Sequence, residues 1–263
     1  MRGMMQVDVD GAKIAYDVNG SGTPVVFLHG YPLSRAMWDA QRDALITRAR
    51  VIRIDFRGMG SSTTAPGPYL MESLAADVSC VLDAIGIERV SIAGHSMGGY
   101  VAMAFARMFT ERVERLALVC SRLDADSQSR ITERNRMADQ LEAGEITAVN
   151  IAGMFANADV HRQPDVAARA LKMVQGNDLR GLAQMQRGLA LRVDSSDIAA
   201  ELDLPVLIIG GQLDHMVPST ITQEMAQAFP QARLDWCEAS GHLAPMEEPN
   251  RVSALLADWL GLK

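Results

Sequence analysis

Three side chains far apart in this sequence could together cleave a carbonyl compound: a serine, a histidine and an aspartate. The serine is Ser96, in Gly94-His95-Ser96-Met97-Gly98, with the strand-like run Arg89-Val90-Ser91-Ile92-Ala93 before it and the small, apolar run Gly99-Tyr100-Val101-Ala102-Met103-Ala104-Phe105-Ala106 after it. A G-x-S-x-G at a strand-to-helix turn is a nucleophile elbow, in which glycines relieve crowding and leave the serine hydroxyl exposed. A serine hydroxyl is a poor nucleophile until a base takes its proton. Five histidines could supply the base. His95 stands at the x position of the elbow and is expected to point away from the hydroxyl. His29 closes a strand and is expected to shape its loop. His161 sits among polar residues, and His215 flanks an acid. His242, in Ala239-Ser240-Gly241-His242-Leu243 just past the last strand-like run, is the expected base. Asp214, in Gly210-Gly211-Gln212-Leu213-Asp214, is placed to hold the imidazole in one tautomer and to stabilise the imidazolium. Asp124 and Asp126 are rivals for that role, but a hinge or surface position is expected for both. The oxyanion of a tetrahedral intermediate needs N–H donors. Met97, after the serine and at a helix start, offers one. Tyr31 offers the other, because Pro32 beside it has no N–H.

The elements that must position these groups alternate. Gln6 to Val18 alternates apolar and polar about Asp10-Gly11, a hairpin signal. Pro24 to Leu28 is apolar on both faces, as a central parallel strand should be. A helix is expected from Ser34, as N-cap, to Thr47. A strand over Arg50–Phe56, a helix over Met71–Ile85 stopped near Gly86, the elbow strand Val90–Ala93, its helix Gly99–Phe109 and a strand Arg115–Cys120 follow. Between Arg122 and Leu202 no buried-strand run occurs. Helical patterns replace it at Ile131–Glu142, Thr147–Phe155, Asp165–Gln175 and Leu179–Leu191. The strand rhythm resumes at Pro205–Gly210, followed by a helix Ser219–Phe229, a strand Ala232–Trp236 and a helix Asn250–Leu260. The expected fold is α/β, a mostly parallel sheet with helices on both faces and an inserted helical cap. Residues 1–121 and 203–263 form its core and 122–202 the cap. Met137, Met154, Met173 and Met185 recur through the cap as helix-face core or as the lining of an adaptable apolar pocket, to which Phe155 would add.

Composition narrows the class. The chain has 263 residues, 48% of them hydrophobic and 22% charged, which fits one large globular domain. Net charge is −7, and Lys and Arg are scattered. No basic stripe marks a nucleic-acid or anionic-membrane partner. Cys80, Cys120 and Cys237 form no disulfide or metal pattern, so free thiols in a reducing compartment are expected. Met1 to Asp8 lacks the apolar stretch of a signal peptide, and no window could span a membrane. A cytoplasmic protein acting on a small molecule, without cofactor or metal, is the expectation; oligomeric state is not legible.

The chain resembles, over nearly its whole length, serine hydrolases of the α/β-hydrolase superfamily. His29-Gly30-Tyr31-Pro32 resembles the oxyanion loop, and Asp55-Phe56-Arg57-Gly58-Met59-Gly60-Ser61 resembles the family's D-x-R-G-x-G-x-S loop. The order Ser96, Asp214, His242 is that of the superfamily. Within it the chain is most similar to small esterases and 3-oxoadipate enol-lactonase-like enzymes, and its Gly-x-Ser-Met-Gly-Gly elbow is shared with cofactor-free haloperoxidases. The resemblance implies attack by Ser96 on a small carboxylic ester or lactone, an acyl-enzyme, and release by water that His242 activates. kcat/KM would then rise with pH through the ordinary histidine range. Dehalogenases and epoxide hydrolases of this fold need an aspartate where Ser96 stands. Tyr31 replaces a glycine of the proline iminopeptidase loop. Carbon–carbon bond hydrolysis or perhydrolysis by the same three residues is the alternative, since one fold hosts many chemistries. An inert binding protein is the third reading, and it would leave Ser96 unlabelled by an organophosphonate. Asp55 and Arg57 are expected to be structural.

Overall fold

A computed structural model describes residues 3–145, 149 and 151–262, with Ala158 described by its backbone alone. Asp10 and Gly11 both take positive φ, 43° and 78°, which only a primed hairpin turn requires. They join β1 (Met5–Val9) to β2 (Ala12–Asn19), with Val9 opposite Ala12. The remaining strands are β3 (Thr23–Leu28), β4 (Ala49–Ile54), β5 (Val90–His95), β6 (Val113–Val119), β7 (Val206–Gly211) and β8 (Ala232–Cys237). They form one eight-stranded sheet in the order β1-β2-β4-β3-β5-β6-β7-β8. β2 runs antiparallel to β1 and β4, and every pair from β4 to β8 is parallel.

The apolar runs are explained by burial on both faces. Along β3, Val25 and Phe27 enter a core with Trp38, Leu45, Leu256 and Trp259, whereas Val26 and Leu28 enter the opposite core with Val78, Val101 and Phe105. The first face carries α1 (Asp39–Leu45) and the second α2 (Met71–Ala84) and α3 (Met97–Met108). The single helix expected from Ser34 is split. Ser34 caps a 3-10 turn, Arg35–Trp38, by accepting from the Ala36 N–H, and α1 begins only at Asp39.

Between β6 and β7 lie α4 (Gln128–Glu142), α5 (Pro164–Gln175), α6 (Leu179–Ala190) and α7 (Ser196–Glu201). This is the inserted helical cap. The helix expected over Thr147–Phe155 falls partly on residues 147, 148 and 150, outside those described; the rest contains only the 3-10 turn Ala152–Met154. α7 was not expected, and it packs back on α3. α6 packs on α4 and sits on the sheet's loops through two glycines. A Cβ on Gly181 would stand 2.3 Å from the Gly58 oxygen, and one on Gly188 would stand 1.8 Å from the Tyr69 oxygen. α8 (Ser219–Gln227) follows β7, and α9 (Ala244–Glu247) and α10 (Pro249–Trp259) close the chain, α10 against α1. Among the described residues no helix is long and apolar enough to cross a membrane.

Candidate active site

The elbow is a steric construction. β5 ends at His95, and Ser96 turns the chain into α3 with φ 49° and ψ −115°, a conformation costing a non-glycine residue about 1–3 kcal/mol. Its neighbours make that turn possible. A Cβ on Gly94 would lie 2.2 Å from the Gly98 oxygen, and one on Gly98 would lie 2.3 Å from the Leu28 oxygen. The strained residue is pinned at both ends: its N–H donates to Val119 O at 2.9 Å, and its carbonyl accepts from the Ser121 hydroxyl at 2.9 Å.

Asp214 and His242 reach the same point from loops after β7 and β8. Oδ1 of Asp214 accepts from the N–H groups of Met216 (2.8 Å) and Val217 (3.0 Å), which leaves Oδ2 for Nδ1 of His242 at 2.8 Å. Because Nδ1 faces a carboxylate it carries the proton, so Nε2 is the acceptor for the Ser96 hydroxyl 2.9 Å away. Burial alone would raise the Asp214 pKa. The charge and hydrogen bond of His242, with the two N–H donors, outweigh it and hold the carboxyl below its ordinary value. The structure thus brings Ser96, Asp214 and His242 into one hydrogen-bonded row. A hydroxyl in that row can lose its proton to Nε2 as it attacks.

His95 and His29 serve the frame. His95 is fully buried and directs Nε2 at the His242 carbonyl, 2.7 Å away, so that nitrogen donates. Burial first, and the His242 charge second, push its pKa down to about 3; it is a neutral prop. His29 donates from Nδ1 to Gly30 O and accepts the Phe56 N–H at Nε2, which stitches two loops. His161 and His215 are exposed, and His215 stands at the cavity rim. The N–H groups of Tyr31 and Met97 donate to no acceptor among the described residues. Asp55 and Arg57 do not pair with one another. Asp55 accepts from the Arg35 and Ser61 N–H groups, and Arg57 forks onto Asp77.

Sequence reasoning missed Glu247. One oxygen accepts from Gly241 N (3.0 Å) and Leu243 N (3.2 Å), on either side of His242, and the other accepts from Ala156 N in the cap (2.9 Å). Burial raises its pKa against those three donors. The His242 N–H itself goes to Met154 O at 2.8 Å, so the loop bearing the base is bonded to the cap on both sides. No local pattern announces such a hub, because its partners lie up to 91 residues away.

Above the row lies a cavity of about 670 Å³. Of the four cap methionines, Met137 and Met154 line part of it together with Met216 and Val217, whereas Met185 is buried in one core and Met173 packs against the other. Two expectations fail. Phe155 is buried in the core instead, and the cap presents charge: Arg122, Asp126, Arg130, Glu133 and Arg134 face the cavity. Asp126, expected at a hinge or at the surface, is not at the surface: its side chain is only 4% exposed and lies between Arg134 and Arg192, which hold its carboxyl below the ordinary value although burial opposes them. Asp124 stays at the rim, forked by Arg122. A signal existed: Arg130, Glu133, Arg134 and Met137 recur at i, i+3, i+4 and i+7, one face of α4.

Comparisons with known proteins agree with this architecture. A thermophilic esterase from Thermogutta terrifontis is 33% identical and superposes with a TM-score of 0.94, over 98% of each chain. The enol-lactonase of Burkholderia xenovorans LB400 is 27% identical at a TM-score of 0.89, covering 98% of this chain and all of that one. A putative carbamate hydrolase of Azorhizobium caulinodans is 26% identical over 95% of this chain and 96% of its own length. The model of the alpha/beta hydrolase family matches residues 25–255, and the chain belongs to that family.

Proposed function

We propose that this protein is a serine hydrolase that cleaves a small carboxylic ester or lactone. The observation that carries the reading is the row Asp214 Oδ2, His242 Nδ1, His242 Nε2 and Ser96 Oγ, with links of 2.8 and 2.9 Å, on the floor of a cavity. Ser96 attacks the carbonyl while His242 takes its proton. The oxyanion that forms is met by the N–H groups of Tyr31 and Met97, the latter at the positive end of α3. His242 returns its proton to the departing alcohol, and the acyl-enzyme is cleaved by a water that His242 activates in turn. Asp214 holds the tautomer and stabilises the imidazolium throughout. The free N–H groups support this assignment, and the esterase and enol-lactonase similarities support the substrate class. Residues 122–202 act as the cap that roofs the site and 1–121 with 203–263 as the core, and the three free thiols suit a cytoplasmic enzyme.

The test is Ser96→Ala with an ester and lactone panel. The variant should fold as the parent does and lose about 10⁴-fold or more in kcat. Organophosphonate should label Ser96 in the parent. Residual activity within tenfold of the parent would sink the assignment.

A further inference from the structure

The turn that carries Tyr31 is held by a side chain of the cap. Gly30 to Leu33 closes on itself through the Leu33 N–H, which donates to Gly30 O at 2.9 Å. Gly30 O takes a second bond, from Nδ1 of His29 at 3.1 Å. Pro32 has no N–H to give, but its carbonyl accepts from Nδ2 of Asn177 at 2.7 Å. Asn177 lies 145 residues further on, at the junction of α5 and α6, and is 9% exposed. Its Oδ1 accepts from Gly60 N at 2.8 Å. A carbonyl on one side and an N–H on the other admit only one orientation of the amide. Both supports are themselves fixed. Gly60 takes φ 57° against Asp55, where a Cβ would stand 2.3 Å from the carboxyl, and the same carboxylate accepts from Ser61 N. Next to Asn177, Asp178 caps α6 and accepts from the Thr64 hydroxyl at 2.7 Å.

From atom to atom these bonds run in one direction. Gly60 N–H donates to the Asn177 amide, Asn177 to the Pro32–Leu33 peptide group, and that group to the Gly30–Tyr31 peptide group. The N–H of this last peptide is that of Tyr31, which meets no acceptor among the described residues. Each donor in such a chain is polarised by the bond behind it, so the last N–H binds a negative oxygen more strongly than it would alone. The bonds also fix the plane of the last peptide, and with it the direction of the N–H. Met97 needs no such support, because α3 stands behind its N–H. We propose that Asn177 is a positioning residue for the oxyanion site, aiming and strengthening the Tyr31 N–H through the Pro32–Leu33 peptide. The proposal rests on the ester-hydrolase reading above. Asn177 is not among the residues lining the cavity, so its loss should spare ground-state binding and appear where charge develops on the carbonyl oxygen.

Two variants test this on a simple aryl ester at pH 8. Asn177→Leu removes donor and acceptor at nearly constant shape. Asn177→Asp keeps an acceptor for Gly60 and turns an ionised oxygen on Pro32 O, so the test survives if the leucine variant does not fold. In each, kcat should fall about ten- to hundredfold, less than the roughly 10²–10³ of a deleted donor, with KM within about twofold of the parent. An alkyl trifluoromethyl ketone, whose hemiketal with Ser96 places an oxyanion at the same point, should lose affinity by the same factor as kcat/KM. The acidic limb of the rate profile should stay in place, because Asp214 and His242 are untouched. In the ligand-free protein the amide proton resonances of Leu33 and Tyr31 should move upfield. A kcat within about twofold of the parent in both variants overturns the proposal, and so does a loss carried by KM alone. A lower kcat with unchanged affinity for the ketone also overturns it, since a general loosening of the fold would give that result. Failure of the hydrolase reading shows instead in the parent, as uncleaved esters and a Ser96 that organophosphonate leaves unlabelled, and the proposal then falls with it.

Discussion

The floor of the cavity is placed by backbone, and its roof by side chains. Ser96 is held by a peptide hydrogen bond to β6 and by glycines that exclude any Cβ, Asp214 by two N–H donors, and the His242 loop by Met154 O and Glu247. The roof side of α4 is ordered instead by ion pairs: Arg134 and Arg192 with Asp126, Arg130 with Glu133, and Arg187 of α6 with Asp139 and Glu142. Backbone fixes position to a fraction of an ångström and tolerates little substitution. Long paired side chains can be exchanged singly. On the proposed reading the chemistry belongs to the part placed by backbone, and the lining that a substrate would meet belongs to the part placed by ion pairs.

Substitutions on the two sides should separate accordingly. The largest effect is expected on the floor: Asp214→Asn keeps the shape but leaves Nδ1 of His242 facing an amide, and kcat should fall about 10⁴-fold in steady-state assays with the melting temperature little changed. A fall of less than tenfold would break the contrast. Glu247→Gln lies at the join. Its amide must either lose the Ala156 N–H or turn from Gly241 and Leu243, and chemical denaturation should show a loss of about 1–3 kcal/mol together with a lower kcat. The acid range gives a smaller, shared effect. The carboxyls of Asp126 in the roof and Asp214 in the floor are both held below their ordinary value. The stability they contribute is complete above the unfolded carboxylate value of about 3.9, and it is lost as pH falls through their folded values. Melting temperatures between pH 5 and pH 2 should therefore decline, and Asp126→Asn should flatten part of that decline. Least is expected of Glu133→Gln at the rim, where an exposed i,i+3 pair is worth under about 0.5 kcal/mol. A larger loss there would mean that the roof is not built from separable pairs.

The same division explains what could be read in the chain beforehand. The strands β3 to β7 announce themselves because a strand covered on both faces carries an apolar run, and Asp10-Gly11 because few residues tolerate two positive φ values in succession. Ser96, Asp214 and His242 stand out because each ends a recognisable strand or follows one closely. Glu247 was invisible because its role is to accept from three backbone N–H groups, which leave no trace in side-chain identity. The burial of Asp126 was not legible because it depends on Arg134 and Arg192, and the second comes from far along the chain. The helix expected across Ser34 to Thr47 ran through its first turn because composition does not distinguish a 3-10 turn from the α-helix that follows.

His95 has a consequence in proton counting. Two imidazoles stand 5.0 Å apart at the centre of the site, and two protonated rings there would repel. Burial holds one of them, His95, neutral until pH falls to about 3, so above that range the pair stores at most one proton. The acidic limb of the rate profile should accordingly rise by one decade per pH unit and never two. The site behaves as a single-proton switch, even though two histidines occupy it.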